Sequence, residues 1–246
     1  MIDIIKAFAT KNPCYKKAQG MTPKGIVVHS TGAKNPNLKR YVDNVTECGV
    51  NAYNNHLNTA TAQILVHAFI GYDVKKNVRI AQCLPYNIAC WGVGKGKKGS
   101  YNYDPYGHIQ FEMCEDGLKD PVYFNKVWEK AVEFCAYICE LYGFNPLADG
   151  VIVSHSEAYK RGYGSNHGDP EHWFKNHGKT MDDFRAAVAA ELKKTPVSKP
   201  APVSFYRVID KNGKQIGSYS VLDNALNSAK TLLKKGESVT INHIYK

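Results

Sequence analysis

Short runs of apolar and β-branched residues recur along the chain, each bounded by Gly, Pro, Asn or Asp. Runs of this length and composition are typical of strands. The pattern predicts strands at residues 26–29, about 64–70, 78–84, 108–114 and 151–154. Because helical segments are interleaved with these strands, the predicted class is α/β with a mixed β-sheet.

Two segments carry apolar residues at helical spacing. The first begins at Asp120 and Pro121, a capping residue followed by a residue suited to the first turn, and ends at Gly143. Its apolar stripe consists of Phe124, Trp128, Ala131, Cys135, Ile138 and Tyr142. The second follows Thr180, where Thr-Met-Asp-Asp resembles a capping box. Its stripe consists of Phe184, Val188 and Leu192.

A proline-rich stretch divides the chain. Thr195-Pro-Val-Ser-Lys-Pro-Ala-Pro202 favours an extended spacer and excludes helix, which predicts a catalytic domain at 1–194, a linker at 195–202 and a small domain at 203–246. The tail contains two strand patterns around Asn212-Gly213, then a helical pattern and a last strand pattern, giving the order ββαβ. A core of this size favours a binding module.

Composition narrows the possible partners and surroundings. The formal charge of +10 favours polyanionic partners, but the lysines form no nucleic-acid motif, so we expect no nucleic acid. No apolar run is long enough for a membrane span, and no secretory signal is recognisable, which predicts no membrane insertion and an initial location in the cytoplasm. The seven cysteines have no C-x-x-C spacing and are interpreted as reduced, mostly buried residues.

One motif match is rejected. Gly94-Lys-Gly-Lys-Lys-Gly99 fits G-x-G-x-x-G, but the residues after it have the pattern of a turn and not of a helix. Dinucleotide binding requires that helix, so this match predicts no cofactor.

Histidines at the ends of apolar runs suggest a metal site. His29 closes "GIVVHSTG", His155 closes "VIVSH", and Asp169 lies in the loop "SNHGDPEHWF" before Pro170. Strand ends hold side chains rigidly at the rim of a sheet, where two imidazoles and a carboxylate can hold zinc with one position open. Each histidine taken alone is better explained by hydrogen bonding to the backbone, and only the combination of two such histidines with an Asp-Pro loop favours a metal.

Glu112 is the candidate general base. It lies in the alternating strand "HIQFEMCED" and shares a face with Gln110 and Cys114. A half-buried carboxylate has a raised pKa, which suits a base that accepts a proton from water. An exposed glutamate paired with a lysine is an equal alternative, and Glu115 is the rival carboxylate.

Five segments in register resemble a known family. "GIVVHSTG", "ILVHAFIG", "HIQFEMCED", "VIVSHSE" and "HGDPEHWF" occur in the order seen in zinc-dependent N-acetylmuramoyl-L-alanine amidases of the peptidoglycan-recognition-protein type, particularly phage endolysins of Gram-positive hosts. The resemblance covers roughly residues 20–194. It implies a central mixed β-sheet flanked by helices, with zinc at the rim of a groove that accepts the stem peptide of bacterial peptidoglycan.

Residue roles follow from this resemblance. His29, His155 and Asp169 match the zinc ligands and Glu112 matches the base. Family members often carry a lysine two positions before the third ligand; here that residue is His167, which either stabilises the oxyanion or competes for the metal.

The resemblance also implies substrate contacts and a place of action. His67 matches a substrate-contacting position, and Trp91 is the aromatic residue expected to contact substrate. The implied activity is cleavage between N-acetylmuramic acid and L-alanine by a lysin that waits in the host cytoplasm and acts on the wall after release. The tail is expected to bind the wall, including its anionic polymers. A zinc endopeptidase and a non-catalytic peptidoglycan-recognition module are the alternatives.

Overall fold

The computed structural model describes residues 2–194, 205–219, 222–233, 236 and 238–244. The chain divides into two compact units, Met1–Lys194 and Thr195–Lys246. The predicted linker at 195–202 lies outside the described residues.

A six-stranded mixed sheet forms the centre of the first unit, as the α/β prediction expected. Its strands are β1 (Ile4–Lys6), β2 (Ile26–Ser30), β3 (Ala68–Tyr72), β4 (Val78–Gln82), β5 (Ile109–Met113) and β6 (Ile152–Ser154). They lie in the order β1-β4-β3-β5-β2-β6, with β3 and β4 antiparallel and the other neighbours parallel. All five predicted strands are present, although the second begins at Ala68 and not near residue 64, and β1 is an additional edge strand.

Helices lie along this sheet. They are α1 (Pro13–Lys17), α2 (Val45–Cys48), α3 (Pro121–Tyr142), α4 (His155–Arg161), α5 (Glu171–Phe174) and α6 (Met181–Lys194), together with short 3-10 turns at Leu38–Arg40 and Lys175–His177. Both predicted helices, α3 and α6, are confirmed. The four short helices had no detectable periodic pattern.

The ends of α3 and α6 follow the sequence signals. The Asp120 carboxylate accepts hydrogen bonds from the backbone N–H groups of Val122 (2.9 Å) and Tyr123 (3.3 Å). Gly143 ends the helix with φ +69°, in the left-handed region that favours glycine. At α6 the Thr180 hydroxyl accepts from the backbone N–H of Asp183 (3.1 Å), and the Asp183 carboxylate accepts from that of Thr180 (2.9 Å).

The two faces of the sheet bury different residues. Along β2, Ile26 and Val28 are fully buried in the large core that includes α3 and α6, whereas Val27 packs with Val153 and Ala158 on the other face. Because side chains alternate along a strand, His29 lies on the same face as Val27. The His29 side chain therefore lies on the face of the sheet opposite α3.

The second unit contains β7 (Phe205–Asp210), β8 (Gln215–Tyr219), α7 (Leu222–Leu233) and β9 (Val239–Ile244), which is the predicted ββαβ order. Its sheet is antiparallel in the order β8-β7-β9. The β7–β8 turn includes Gly213 with φ +79°, as expected for an Asn-Gly hairpin. Its described core centres on Val208, Ala225 and Ala229.

All seven cysteines are buried and unbridged, as predicted, and Cys135 and Cys139 pack in the large core. Within the described residues, no helix combines the length and the hydropathy needed to cross a bilayer.

Candidate metal centre

His29, His155 and Asp169 converge at the carboxyl ends of two neighbouring strands. β2 and β6 are parallel, with Val28 opposite Ser154, so the residues that follow meet at one edge of the sheet. His29 is the penultimate residue of β2, and His155 is the first residue of α4, directly after β6. Asp169 lies in the loop before α5. The three side chains are buried, with residue exposures of 1%, 3% and 8%.

The potential ligand atoms of these residues lie within 4.8 Å of one another. His29 Nδ1 is 3.1 Å from His155 Nδ1 and 3.2 Å from Asp169 Oδ2. His155 Nδ1 is 3.4 Å from Asp169 Oδ1. We refer to this group as the three-donor cluster.

A chain of hydrogen bonds determines which nitrogen of His29 carries the proton. Two backbone N–H groups donate to one side-chain atom of Asn102 (each 3.2 Å), so that atom is the amide oxygen. The Gln110 atom that lies 2.9 Å from this oxygen must then be the amide nitrogen, which donates to it. The Gln110 oxygen then faces His29 Nε2 at 3.1 Å. His29 Nε2 therefore donates, and in the neutral ring Nδ1 presents a lone pair to the cluster.

The same reasoning applies to His155. Its Nε2 lies 3.2 Å from Ser165 Oγ, which itself donates to the carbonyl oxygen of Val93 (3.1 Å). Ser165 therefore accepts from His155, and His155 Nδ1 also presents a lone pair. Two imidazole lone pairs and a carboxylate facing one another repel unless a cation lies between them. Nitrogen, nitrogen and oxygen are ligands that Zn²⁺ takes, so the residues present fit this ion.

The carboxylate of the cluster is held in its charged form. Burial by itself raises the pKa of Asp169, but His155 and His29 lower it when their rings are protonated and donate to the carboxylate. When the rings are neutral, a bound cation would take over this role. The Ser30 backbone N–H also points to Asp169 Oδ2 at 3.4 Å. An ionised carboxylate is the form that can bind a metal ion.

Glu112 lies beside the cluster on the next strand. It is directly opposite His29 in the parallel β2–β5 pair, so both side chains project from the same face. Its Oε2 atom is buried and has no hydrogen-bond partner among the described residues. Burial, followed by the charges of Asp169 and Glu115, raises the pKa of Glu112 well above its ordinary value of 4.5. A carboxylate with a raised pKa accepts protons readily.

Glu115, the rival carboxylate, is occupied by structural contacts. It is only 2% exposed, and its Oε1 atom accepts from the Ser30 hydroxyl (2.6 Å) and contacts His172 Nε2 (2.9 Å). Because Ser30 follows His29 and His172 lies in α5, these contacts fasten β2 to the segment that carries Asp169. They favour Glu112 over Glu115 as the residue available for proton transfer.

His167 lies at the mouth of the cluster. Its ring stacks on His155 with centroids 4.4 Å apart and an interplanar angle of 6°, and its Nδ1 is 3.9 Å from Asp169 Oδ1. The His167 side chain is 59% exposed, so it can approach a bound molecule. It is outside the three-donor cluster.

The predicted substrate contact of His67 is corrected by the structure. His67 is fully buried, Nε2 bonds the carbonyl oxygen of Ile88 (2.9 Å), and Nδ1 accepts from the Gln110 backbone N–H (2.9 Å). A side chain with no exposed surface and both nitrogens occupied cannot reach a substrate. His67 is buried because the apolar residues on either side of it are packed in the interior. Trp91 remains partly exposed, and its substrate contact stays a prediction.

Gln110, Asn102 and Ser165 are supporting residues that the sequence analysis did not assign. Gln110 had a signal, since it lies two positions from Glu112 on the same strand face. Asn102 and Ser165 lie in loops, and only the tertiary contacts place them next to the cluster.

Comparisons with known proteins agree with this architecture. Residues 19–172, more than half of the chain, match the family described as N-acetylmuramoyl-L-alanine amidase. Among solved structures, the Staphylococcus aureus hydrolase AmiA in complex with its ligand is similar over 77% of this chain and 83% of its own, at 21% identity and a TM-score of 0.57. No curated protein matches the sequence.

Two endolysin structures are also similar. A mutant endolysin from Bacillus subtilis matches over 76% of this chain and 99% of its own, at 21% identity and a TM-score of 0.50. The PlyG catalytic domain matches over 81% and 99%, at 19% identity and a TM-score of 0.51. At these identities the likeness shows a shared fold, which is the central mixed sheet with flanking helices.

Proposed function

Because the chain belongs to the N-acetylmuramoyl-L-alanine amidase family, we propose that it is a zinc hydrolase that cuts peptidoglycan between N-acetylmuramic acid and L-alanine and so lyses the host wall. The observation that carries this proposal is the three-donor cluster, in which two imidazole lone pairs and a carboxylate face one point and no described lysine or arginine pairs with the carboxylate. His29, His155 and Asp169 would hold the ion.

Zinc at this place would lower the pKa of a bound water toward about 7 and polarise the carbonyl of the scissile amide. The residues of the chain have separate tasks. Glu112 accepts the proton of the attacking water and passes it to the departing alanine nitrogen. His167, exposed beside His155, donates a hydrogen bond to the carbonyl oxygen as it becomes negative. Gln110 and Ser165 keep the two ligand imidazoles in the required tautomer.

Mass spectrometry of digested wall tests the bond that is cut. We expect new amino-terminal alanine with free lactyl groups on the glycan. Internal peptide termini would instead indicate a zinc endopeptidase, and the absence of any release would indicate a recognition module. The same preparation should contain about one zinc per chain, because one cluster of this type is present among the described residues.

A variant pair tests the ligands. His155→Ala should lose zinc and activity, whereas His177→Ala, which removes a histidine outside the cluster, should keep both. Zinc retained at full stoichiometry by His155→Ala would contradict the ligand assignment.

The second unit is proposed to bind the wall. Its small described core suits a recognition module. Tethering such a module to a hydrolase raises the local concentration of the hydrolase on the wall. Storage in the host cytoplasm until release to the wall is the proposed setting. Truncation after Lys194 should weaken sedimentation with purified walls while leaving cleavage of a soluble muropeptide unchanged.

A further inference from the structure

A basic groove adjoins the candidate metal centre. It is a shallow cavity of about 740 Å³ between the loop 94–99 and the end of α4. Its charged and aromatic lining is Lys95, Lys97, Lys98, Lys160, Arg161 and Tyr159. Ser165 also lines it, and Ser165 is the residue that accepts from His155 Nε2. The groove and the metal centre therefore share a wall.

The loop that supplies three of these lysines is the segment that fits G-x-G-x-x-G. It is held by a hydrogen bond from the Gly96 N–H to the Gly99 carbonyl (2.8 Å) and by another from the Lys98 N–H to the Gly162 carbonyl (2.8 Å). A Cβ atom at Gly96 would collide with the Gly162 carbonyl, so only glycine allows the loop to lie this close to α4. The glycines thus serve to dock a lysine-bearing loop beside the centre.

The groove lysines lack direct ion pairs in the described part of the chain, although the charge of Lys160 acts on Glu171 at longer range. Among the described residues, no carboxylate forms an ion pair with Lys95, Lys97, Lys98 or Lys160, and all four are exposed. Arg161 differs, because both of its terminal nitrogens contact the Asp149 carboxylate. Four unpaired ammonium groups along one groove favour an anionic ligand.

The type of cation indicates the type of anion. A single carboxylate is usually recognised by the fork of an arginine, and the Arg161 fork is already occupied. Separate, flexible ammonium groups instead suit a chain with one charge per repeat, such as a phosphodiester polymer. The Tyr159 side chain, 46% exposed, offers an apolar face to the carbon chain of a polyol.

We propose that this groove binds a poly(polyol phosphate), the phosphodiester-linked anionic polymer attached to the wall of Gram-positive bacteria. This proposal rests on the proposed function, because the polymer is attached to the same wall that the enzyme is proposed to cut. It places a wall-polymer site in the catalytic unit itself, next to the metal centre.

The test measures binding of the full-length chain to unsubstituted poly(glycerol phosphate) by calorimetry at 0.15 M salt. The groove variant is K95Q/K97Q/K98Q/K160Q. The matched control is K16Q/K17Q/K119Q/K126Q, which removes the same charge from exposed lysines elsewhere in the first unit. A single-stranded oligonucleotide with the same number of phosphates is the second probe, and thermal melting verifies that each variant is folded.

We expect the groove variant to bind the polymer about tenfold or more weakly with a shallower salt dependence, because exposed ammonium–phosphate contacts are screened by salt. The polymer affinity of the control variant should stay within about twofold of the wild-type affinity, because salt screens charges that lie away from the bound polymer. Equal losses in both variants would mean that net charge alone binds the polymer and would overturn the site. Tighter binding of the oligonucleotide would overturn the proposed ligand class.

Hydrolysis of a polymer-free muropeptide separates this proposal from the proposed function. Both lysine variants should cleave it at the wild-type rate, because none of the substituted lysines belongs to the metal centre. If the wild type fails to cleave it while the groove still binds polymer, the proposed function fails and the groove assignment stands.

Discussion

His29, at the end of β2, and His67, just before β3, are both buried histidines of the same sheet, and Gln110 contacts both. The Gln110 side chain accepts from His29 Nε2, and the Gln110 backbone N–H donates to His67 Nδ1. His67 completes its hydrogen bonding with the Ile88 carbonyl, whereas His29 leaves one nitrogen facing His155 and Asp169. Burial is therefore common to both residues, and the difference lies in whether the protein satisfies the second nitrogen.

This difference separates a structural histidine from a candidate metal ligand. A buried polar group without a partner costs stability, so proteins keep such groups where a ligand supplies the missing interaction. The region around His67 is complete without a ligand, and the region around His29 is not.

The largest contrast is expected between His29→Ala and His67→Ala. His29→Ala should lose zinc and all measurable cleavage. Its melting temperature should stay close to that of the metal-free wild type, because the substitution removes a donor that repels its neighbours. His67→Ala should keep zinc but lose about 2–4 kcal/mol of stability through the cavity and two broken hydrogen bonds. Elemental analysis and urea denaturation distinguish the two. A His29→Ala protein that keeps its zinc would remove the distinction.

Glu112→Gln should lower the turnover number about 10²–10⁴-fold, because the amide cannot accept the proton that a general base transfers. Zinc content should be unchanged, since Glu112 is outside the three-donor cluster. Glu115→Gln is the companion variant; it should keep more activity because the Glu115 side chain is held by Ser30 and His172. Steady-state cleavage of a soluble muropeptide measures both, and similar losses would argue against the separate roles.

His67 should also leave a signature in the pH dependence of stability. Burial lowers its pKa from the ordinary 6.5 to about 4. The unfolded chain takes up this proton near pH 6.5 and the folded chain only near pH 4, so the free energy of unfolding falls as the pH falls through this window. The His67 contribution is about 3 kcal/mol, from about 1.4 kcal/mol per pH unit.

Subtracting the urea denaturation profile of metal-free His67→Gln from that of the metal-free wild type isolates this contribution. Parallel profiles between pH 7 and pH 4 would show that His67 titrates normally in the folded protein.

The smallest effects are expected at the residues that support the ligands. Gln110→Ala removes the side-chain partner of His29, so zinc affinity should fall about 10–100-fold. The backbone N–H that donates to His67 remains, so the hydrogen bonding of His67 should be unchanged. Ser165→Ala should lower zinc affinity less, about tenfold, because the partly exposed position lets water replace the hydroxyl. Competition with a chromogenic chelator measures both, and unchanged affinity in Gln110→Ala would show that the His29 tautomer needs no support.

Helices α3 and α6 were predictable because their signals are local. Asp120, Gly143 and Thr180 act within a few residues of themselves, and an apolar stripe marks the buried side of each helix. β1 was not predictable, because it has only three residues and exists by pairing with β4, more than seventy residues later. His155 also differs from the prediction, because it begins α4 and does not end strand β6. The capping box of Ser154 and Glu157 starts the helix at this residue.

The sequence by itself determined the α/β class, the main helices and strands, and the residue types available for a metal site, because periodicity, caps and turns act between near neighbours. Tertiary structure decided which histidines have an open nitrogen. His29, His155 and Asp169 lie far apart in the chain, and their convergence depends on the parallel pairing of β2 and β6 and on the position of the loop before α5. His67 has the same side chain in a similar apolar run, but the Ile88 carbonyl and the Gln110 backbone satisfy it. Hydrogen-bond satisfaction is a property of contacts between distant segments, and no local pattern encodes it.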